Sequence, residues 1–307
     1  MNRKYFANLP ERFTRNVLGL HAEKGGQWLE DLPEVVGKIS EKWSLQMEKP
    51  FADLSYNFVA PCILSGGTKA VLKIGFPEKD SPLFGEQKAL QIYNGNGAVK
   101  LLAFDANYCA LLLERLIPGE NLKSLCETDD ERATEIAIEV MRRLRQKPPE
   151  NVEFPTLIDW MSGLQTAKKV RFASRLCDKA LNYFEELSND SEENLLLHGD
   201  LHHENILSAG RESFLAIDPK GVVGNIGYEI GVFLNNQRRL VRSRQNLRQI
   251  LEQHVRQFAR SFEIEPQNLR KWAFLQAALS AWWVFEDNGT GWEKWTAYAD
   301  IWEEIGV

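Results

Sequence analysis

The chain has 307 residues, of which 44% are hydrophobic and 26% are charged, and its formal net charge is −6. This composition is ordinary for a globular protein and shows no sign of disorder. The acidic balance argues against a nucleic-acid partner, because such binding depends on basic side chains that neutralise phosphates. The length predicts two lobes rather than one compact core.

The first part of the chain, up to about residue 116, predicts a strand-rich region with one internal helix. An early helix is expected around residues 29–42. The segment LSYNFVAPCIL, from Leu54, is typical of a strand, and Pro61 favours an edge position because proline has no N–H to donate. A turn at residues 65–67 joins it to a second strand, KAVLKIGF, as a hairpin.

A helix over residues 83–93 and two more strands, in KLLAFD and YCALLLERL, complete this region. Beyond Pro118 the apolar spacing becomes helical. The later predicted segments are helices at 156–187, short strands at 195–197, 204–208 and 213–217, and helices from 228 to 305. Six of nine tryptophans lie between Trp272 and Trp302. This cluster favours a packed helical core, and the alternative is a wall that stacks against substrate.

The four cysteines are too widely spaced for a C-x-x-C motif, and we expect buried, reduced thiols at Cys62, Cys109, Cys126 and Cys177. The N-terminus, MNRKYFANLPERF, has no apolar segment typical of a signal peptide. No run of about 18 apolar residues could span a membrane. We therefore expect a cytoplasmic protein with no membrane contact, and the sequence implies no protein partner.

Two polar turns at the ends of short apolar strands carry the candidate chemistry. The first is LLLHGDLHHENIL, residues 195–207, with Asp200 and Asn205 in one loop, and the second is FLAIDPKG, residues 214–221, with Asp218. A turn between the strands would fold Asp218 back toward Asn205. Phosphoryl transfer needs such groups, because the protein mainly positions the reactants and neutralises charge.

Mg²⁺ binds hard oxygen ligands, so an asparagine amide and an aspartate carboxylate suit it while phosphates and water complete the octahedron. A second carboxylate, not on the metal, can orient and deprotonate an attacking hydroxyl. The expectation requires Asn205 and Asp218 to reach one ion, in a cleft between the lobes. The alternative is that residues 198–218 form only a polar connection between strands.

These motifs resemble those of a known family. HGDLHHEN is similar to the H-x-D-x-x-x-x-N catalytic loop of protein-kinase-like enzymes, and Asp218 stands where protein kinases have the aspartate of D-F-G. With Gly199 after the histidine, the loop resembles that of aminoglycoside phosphotransferases and related small-molecule kinases. The string IDPKGVVGNIGYEIGVF resembles the streptomycin 6-kinase and hydroxyurea-resistance branch.

The resemblance covers roughly residues 55–290. It implies an α+β, protein-kinase-like two-lobed fold, with a small β-rich N-lobe over 1–116 and a larger, mostly helical C-lobe over 117–307. It also implies ATP and Mg²⁺ as cofactors. The partners would be a nucleoside triphosphate and a small hydroxyl-bearing acceptor.

The resemblance implies a role for each matching residue. Asp200 would be the catalytic base, Asn205 and Asp218 the Mg²⁺ ligands, and His198 a structural residue that braces the loop. In the N-lobe, VLKIG resembles the V-A-I-K strand. Lys73 would then pair with the α- and β-phosphates.

Glu86, in the predicted helix, would be the partner of Lys73. The alternative for Lys73 is a side chain on a solvated strand face, which is the usual place of a single lysine in a strand. YCALLLERLIPG resembles the last N-lobe strand and the hinge, whose backbone binds the adenine edge. This comparison implies that Glu114, Arg115 and Leu116 lie near the nucleotide.

Two departures from protein kinases favour a small acceptor over a peptide. The hairpin turn has SGGT at residues 65–68 instead of G-x-G-x-x-G, and VVGNIGYEIG replaces the A-P-E element. His202 and His203 could suggest a metal site, but no third ligand stands at zinc spacing. Contact with nucleotide or substrate is the alternative for either histidine.

The acceptor pocket has three candidate carboxylates. Glu286 falls four residues after Trp282, on what would be a buried helix face. Because an unpaired buried charge is costly, it would meet either a cationic group of the acceptor or an internal arginine from residues 238–244. Asp287 and Glu229 are the other candidates for acceptor binding.

The sequence leaves three functions open. The leading hypothesis is ATP-dependent phosphorylation of a streptomycin-like aminoglycoside, which is a form of antibiotic resistance. The second keeps the kinase and changes the acceptor to a housekeeping metabolite such as an amino alcohol or sugar, since fold does not fix substrate. The third is a catalytically inactive nucleotide-binding protein, against which the complete set of motif residues argues.

Overall fold

The computed structural model describes residue 6 and residues 9–189, 194–236 and 244–306. The described helices are α1 (Glu11–Lys42), α2 (Pro82–Tyr93), α3 (Lys123–Cys126), α4 (Asp130–Leu144), α5 (Leu157–Lys169), α6 (Ser174–Asn189), α7 (Ile226–Leu234), α8 (Arg244–Phe262), α9 (Pro266–Asn288) and α10 (Glu293–Ile305). The described strands are β1 (Leu45–Met47), β2 (Phe58–Leu64), β3 (Lys69–Ile74), β4 (Leu101–Asp105), β5 (Ala110–Glu114), β6 (Leu195–Leu197), β7 (Ile206–Ser208), β8 (Phe214–Ala216) and β9 (Val222–Gly224). The chain forms two compact units, Met1–Gly119 and Glu120–Val307.

The first unit is built on a five-stranded antiparallel sheet with the order β1-β2-β3-β5-β4. Three alternate residues of β3 are fully buried, namely Ala70, Leu72 and Ile74. This two-residue period is expected of a strand with one face on the core. The same core contains the buried face of α1.

Helix α1 is longer than the helix predicted at residues 29–42, because it begins at Glu11. Ala22 has φ 48° and ψ −128°, so the helix is kinked there. Phe13 and Val17 are buried before the kink. The kink interrupts the helical spacing of apolar residues, and this hid the first half of the helix from the sequence pattern.

The predicted edge position of Pro61 is wrong, since β2 pairs with β1 on one side and with β3 on the other. Strand β1 ends at Met47, however, and the next residue, Glu48, donates its N–H to Pro61 O at 2.9 Å. The missing N–H of Pro61 therefore faces the end of β1. Only one backbone hydrogen bond is lost there, which explains why the proline is tolerated in an inner strand.

Helix α9 is the centre of the second unit. Every residue from 272 to 282 is buried, so this helix is surrounded rather than amphipathic. Helices α5, α6, α7, α8 and α10 all pack against it. The packed-core interpretation of the late tryptophans is confirmed for four of them, Trp272, Trp282, Trp295 and Trp302.

Helix α7 approaches α9 closely through two glycines. A Cβ on Gly227 would lie 2.2 Å from Trp272 Cδ1, and a Cβ on Gly231 would lie 3.0 Å from Trp272 O. A larger residue at either position would push the two helices apart, because protein interiors are close-packed. The string VVGNIGYEIG therefore fixes the position of α7, which carries Glu229.

The cysteines are buried and form no disulfides, as predicted. Burial raises the pKa of Cys126 to about 12, so this thiol stays protonated at neutral pH. Within the described ranges, no helix is both long enough and apolar enough to cross a membrane.

Candidate active site

The two polar turns of the second unit are joined by a short β-hairpin. Strands β7 and β8 pair antiparallel, with Ile206 opposite Ala216. One step further, Ile217 N donates to Asn205 O at 2.9 Å. Asp218 follows directly, with a φ of 60° that is uncommon for a non-glycine residue. Asn205 and Asp218 therefore lie at the same end of this hairpin.

The loop before the hairpin brings Asp200 next to Asn205. Asn205 Nδ2 donates to Asp200 O at 2.9 Å, which leaves the amide oxygen directed away from this contact. The Asp200 side chain is 34% exposed, and its Oδ2 lies 3.4 Å from Lys220 Nζ. Its Oδ1 lies 3.9 Å from His202 Nε2. The carboxylate is thus accessible to reactants between two basic side chains.

His198 ties the loop to the segment that follows β8. Its Nε2 lies 2.7 Å from Ile217 O, and its Nδ1 accepts from Asp200 N at 3.2 Å. Lys220 N donates to His198 O at 2.8 Å. Burial lowers the pKa of His198 to about 4, so at pH 7 the ring is neutral, with its proton on the Nε2 that donates to Ile217. One buried histidine therefore holds Asp200 and the residues beside Asp218 together.

Glu229 lies beneath the loop on α7. It is 2% exposed, and its two oxygens accept from Gly199 N at 2.9 Å and from Leu201 N at 3.1 Å. Burial raises the pKa of Glu229 to about 7, although the two backbone hydrogen bonds oppose this shift. Both oxygens are engaged on either side of Asp200. The predicted acceptor-binding role of Glu229 stays a prediction, while its observed contacts position the loop.

Gly199 stands where protein kinases have arginine, and its φ is 82°. A Cβ at this position would lie 2.9 Å from Trp160 Cη2 and 3.0 Å from Val222 Cγ1. The left-handed backbone and the lack of room both disfavour a side chain. Trp160 packs edge-on against Trp283, with 5.3 Å between ring centroids. These half-buried rings form an aromatic border beside the loop.

The donor atoms at the end of the hairpin fit an Mg²⁺ ion that is bound mainly by phosphates and water. Among the described residues, no three His, Cys, Asp or Glu side chains are grouped to enclose a metal ion. The Asp218 carboxylate and the Asn205 amide are hard oxygen donors, and protein-bound Mg²⁺ often has only one or two protein carboxylates beside substrate phosphates. The donors therefore suit a cation that arrives with a nucleotide.

The first unit contains the predicted lysine–glutamate pair. Lys73 lies on β3 between Val59 of β2 and Leu111 of β5, and it is 4% exposed. Its Nζ is 2.7 Å from Oε2 of Glu86, which is equally buried on α2. Lysine and glutamate are almost never buried this deeply unless they are paired. The pair is therefore mutually dependent within the core of the sheet.

Residues Glu114, Arg115 and Leu116 lie at the end of β5 and just after it. Glu114 N donates to Lys100 O at 2.9 Å, and Arg115 Nη1 lies 2.7 Å from Glu48 Oε2. Their predicted contact with adenine involves backbone groups and stays a prediction.

The predicted burial of Glu286 on α9 is wrong, and the acceptor-binding roles of Glu286 and Asp287 stay predictions. Glu286 and Asp287 are both exposed, because the burial of α9 ends after Trp282 apart from partly buried residues. An exposed carboxylate does not require a cationic partner. The alternative partner, an arginine from residues 238–244, has a side chain outside the described part of the chain.

The adjacent histidines of the loop face different surroundings. His202 Nδ1 accepts from Glu204 N at 3.2 Å and caps the short 3-10 turn His203–Asn205. His203 is buried and stacks on Phe233 at 4.0 Å between ring centroids, and burial lowers its pKa to about 3. The two rings therefore do not converge on one ligand.

The sequence analysis missed Lys220, a residue that contacts the loop. Lys220 lies within the IDPKG motif, which was the available signal, but the fold brings it to Asp200 through the backbone of His198. Glu229 was identified from the sequence, but its contacts with the loop backbone were not. No local pattern shows that its carboxylate binds amides 28 and 30 residues earlier in the chain.

Comparison with known proteins identifies the family. The model described as aminoglycoside/hydroxyurea antibiotic resistance kinase matches residues 42–289. A streptomycin 6-kinase from Streptomyces griseus is 25% identical over 299 residues and covers 92% of each chain. A hydroxyurea phosphotransferase from Kitasatospora aureofaciens is 33% identical over 230 residues, which is 72% of this chain and 66% of that protein.

The crystal structure of aminoglycoside phosphotransferase APH(4)-Ia has a TM-score of 0.64 and 16% identity to this chain, and the match covers 89% of this chain and 98% of that one. The predicted α+β, protein-kinase-like fold is confirmed by this likeness. The chain belongs to the aminoglycoside/hydroxyurea antibiotic resistance kinase family and is, as its motifs predicted, a small-molecule phosphotransferase.

Proposed function

We propose that the protein transfers the γ-phosphoryl group of ATP to a hydroxyl of an aminoglycoside, with streptomycin as the leading acceptor. The observation that carries the proposal is one hydrogen-bonded unit, in which Asn205 binds Asp200 O and also accepts from the residue before Asp218. This unit joins a candidate base to two candidate metal ligands. The streptomycin 6-kinase relative supports the acceptor class.

Asp200 is assigned as the base that orients the acceptor hydroxyl and receives its proton as the oxygen attacks the γ-phosphorus. Its partial exposure supports this role, because an acceptor can approach the carboxylate. A base also has to keep a fixed orientation. Glu229 and His198 supply this by binding the loop backbone on both sides of Asp200 and at Asp200 itself.

Asn205 and Asp218 are assigned to Mg²⁺, which when bound neutralises phosphate charge and orients the reacting groups. The amide of Asn205 suits this role because its NH₂ group is engaged by Asp200 O, so the oxygen is the remaining donor. Asp218 has a positive φ, and such costly conformations cluster at functional sites.

Lys73 is assigned to the α- and β-phosphates, and Glu86 is assigned to orient its ammonium. A buried ion pair contributes little net stability, since desolvation offsets the attraction between the charges. A nucleotide-binding role is therefore the better explanation for a lysine at the centre of this sheet.

The test is transfer of labelled phosphate from ATP to streptomycin in the presence of Mg²⁺, compared with the Asp200→Ala variant. We expect a phosphorylated product with the wild type, and a rate lower by about 10²- to 10⁴-fold in the variant, because general base catalysis is lost. Absence of transfer at millimolar acceptor excludes streptomycin. An equal rate in the variant excludes Asp200 as the base.

The relative named hydroxyurea phosphotransferase favours hydroxyurea as a second candidate acceptor. Hydroxyurea also offers a hydroxyl to a base, so the same residues would serve. A panel of streptomycin, hydroxyurea and an amino alcohol, compared by kcat/KM, ranks the acceptors. If only the amino alcohol is phosphorylated, the acceptor is a housekeeping metabolite and not an antibiotic. Nucleotide binding without transfer to any acceptor indicates an inactive protein.

A further inference from the structure

We propose that Lys220 is a further catalytic residue, whose ammonium pairs with Asp200 before the reaction and with the transferred phosphoryl group during it. The inference rests on the proposed function, in which Asp200 is the base. Lys220 belongs to the IDPKG motif, and the proposed function assigns its side chain no role.

The position of Lys220 is fixed by the same histidine that holds Asp200. Lys220 N donates to His198 O at 2.8 Å, while Asp200 N donates to the ring of His198 at 3.2 Å. The Lys220 ammonium then lies 3.4 Å from Asp200 Oδ2. It also lies 5.7 Å from the ring centroid of Trp283, at the distance of a cation–π contact. One backbone hydrogen bond and two contacts of the ammonium therefore define where the side chain lies.

Folding stability does not explain this arrangement. The side chains of Lys220 and Asp200 are 46% and 34% exposed. Ion pairs with this exposure contribute little, because water and salt screen them. The described residues have two basic side chains within 4 Å of the Asp200 carboxylate, Lys220 and His202. His202 also accepts a backbone hydrogen bond through its other ring nitrogen, whereas Lys220 has a flexible stem.

Distance limits bring Lys220 to the reacting phosphoryl group. A general base lies about 2.6–3.2 Å from the hydroxyl that it deprotonates. That hydroxyl oxygen lies about 3–3.5 Å from the phosphorus in a reactive arrangement. Because the ammonium is 3.4 Å from the base, rotation of the lysine side chain is enough for it to contact an oxygen of the transferred group.

The charge changes during the reaction favour movement of the Lys220 ammonium from Asp200 to the transferred phosphoryl group. The acceptor oxygen forms a bond to the γ-phosphorus and its proton moves to Asp200, while the bond to the bridging oxygen breaks and its electron pair leaves with ADP. Asp200 becomes neutral, so the ammonium loses its ion-pair partner. Lys220 keeps its proton throughout and can then neutralise the phosphoryl oxygens, where a preorganised cation has its largest effect.

The experiment compares Lys220→Met, Lys220→Arg and the control Lys168→Met in single-turnover and steady-state assays with the best acceptor of the panel. Lys168 has an exposure of 42%, close to that of Lys220, and pairs with Asp178 away from the loop. We expect Lys220→Met to lower the single-turnover rate by about 100-fold, with KM for ATP and acceptor changed by less than about threefold. Lys220→Arg should recover about tenfold of that loss, and Lys168→Met should match the wild type.

A rate for Lys220→Met within about twofold of the wild type overturns the inference while leaving the proposed function intact. A proportional rise of KM at unchanged rate also overturns it, because the lysine would then only bind substrate. If the wild type phosphorylates no acceptor, the proposed function fails and the inference fails with it. The thermal midpoint of each variant is measured to exclude misfolding as the cause of a lower rate. Because Lys220 is half exposed, we expect its substitutions to leave the midpoint unchanged.

Discussion

The two charged pairs of this kinase are held in opposite ways. In the first unit, Lys73 and Glu86 are buried in regular secondary structure, and each side chain depends on the other. In the second unit, Asp200 and Lys220 are partly exposed, and what fixes them is backbone hydrogen bonding to His198 and Glu229. The first pair is therefore sensitive to removal of one partner. The second is sensitive to residues that hold its backbone in place.

This difference predicts that substitutions at the second pair reduce activity alone, whereas substitutions at the first pair reduce both activity and stability. A change at Asp200 should remove activity and leave the fold intact, because its carboxylate faces solvent. A change at Lys73 should damage both, because it leaves Glu86 as a buried charge without its lysine partner.

The largest effect is expected for Asp200→Asn, which keeps the shape of the side chain and removes the proposed proton acceptor. We expect kcat to fall by about 10³-fold, with little change in the thermal midpoint. Steady-state kinetics and thermal unfolding measure the two quantities. Asp178→Asn, an exposed aspartate on α6, is the matched control and should leave both unchanged. A large drop in the midpoint of Asp200→Asn would contradict the description of Asp200 as a partly exposed side chain on a loop held by its backbone.

A second large effect is expected for Lys73→Met. It should reduce kcat/KM for ATP by about 100-fold and destabilise the protein by about 3 kcal/mol, since a buried pair is broken. The double variant Lys73→Met with Glu86→Leu should recover most of the free energy of unfolding, measured with urea, but none of the activity. If the double variant recovers activity as well, the pair has only a structural role.

The third prediction concerns Glu229→Gln and pH. The folded pKa of Glu229 is raised from 4.5 to about 7, so its favourable contribution is complete below pH 4.5 and is lost as pH rises through 7. This shift corresponds to about 3 kcal/mol. The difference in unfolding free energy between the wild type and Glu229→Gln should therefore shift in favour of the variant over this range.

His198 titrates in the opposite sense, because its lowered pKa makes the protein lose stability as pH falls from 6.5 toward 4. Taking the difference between wild type and variant cancels this contribution. A difference that does not change with pH would show that Glu229 titrates normally and is not held in a dry site.

The smallest effect is expected for Gly199→Ala. The new Cβ would contact Trp160, and alanine would have to adopt the left-handed backbone conformation of Gly199. Together these two effects should cost about 1–2 kcal/mol of unfolding free energy and lower kcat. Gly37→Ala is the control, since a Cβ there would have open space on helix α1. This control should be neutral or slightly stabilising, because alanine favours helices. Equal effects of the two substitutions would indicate that Gly199 is not constrained.

The sequence revealed residues whose chemistry is written in short motifs. Asp200, Asn205 and Asp218 stand at fixed spacings in two turns, and the hairpin between them was expected from the strand pattern. The Lys73–Glu86 pair was recognised because a family motif names both partners. In these cases the local order of residues nearly determines the contact, since only one hairpin or one strand–helix step separates the partners.

The sequence did not reveal contacts that depend on how distant elements pack. Glu229 reaches the loop because glycines let α7 approach α9, and no pattern near Glu229 reports this. Glu286 was taken as buried because helical periodicity predicts which face of a helix is apolar, but not how far along the helix that face is buried by its neighbours. Strand β9, Val222–Gly224, was missed because it is defined by its pairing with β6, which lies much earlier in the chain.

The bonds of His198 also have a consequence for substrate exchange. Its ring and carbonyl connect the loop, the end of the hairpin and Lys220, so we expect residues 198–220 to move as one piece. We therefore expect nucleotide binding and product release to depend on movements elsewhere in the chain. Selection for a new antibiotic acceptor would likewise conserve this piece and alter the surfaces around it, which separates the chemistry of the enzyme from its choice of drug.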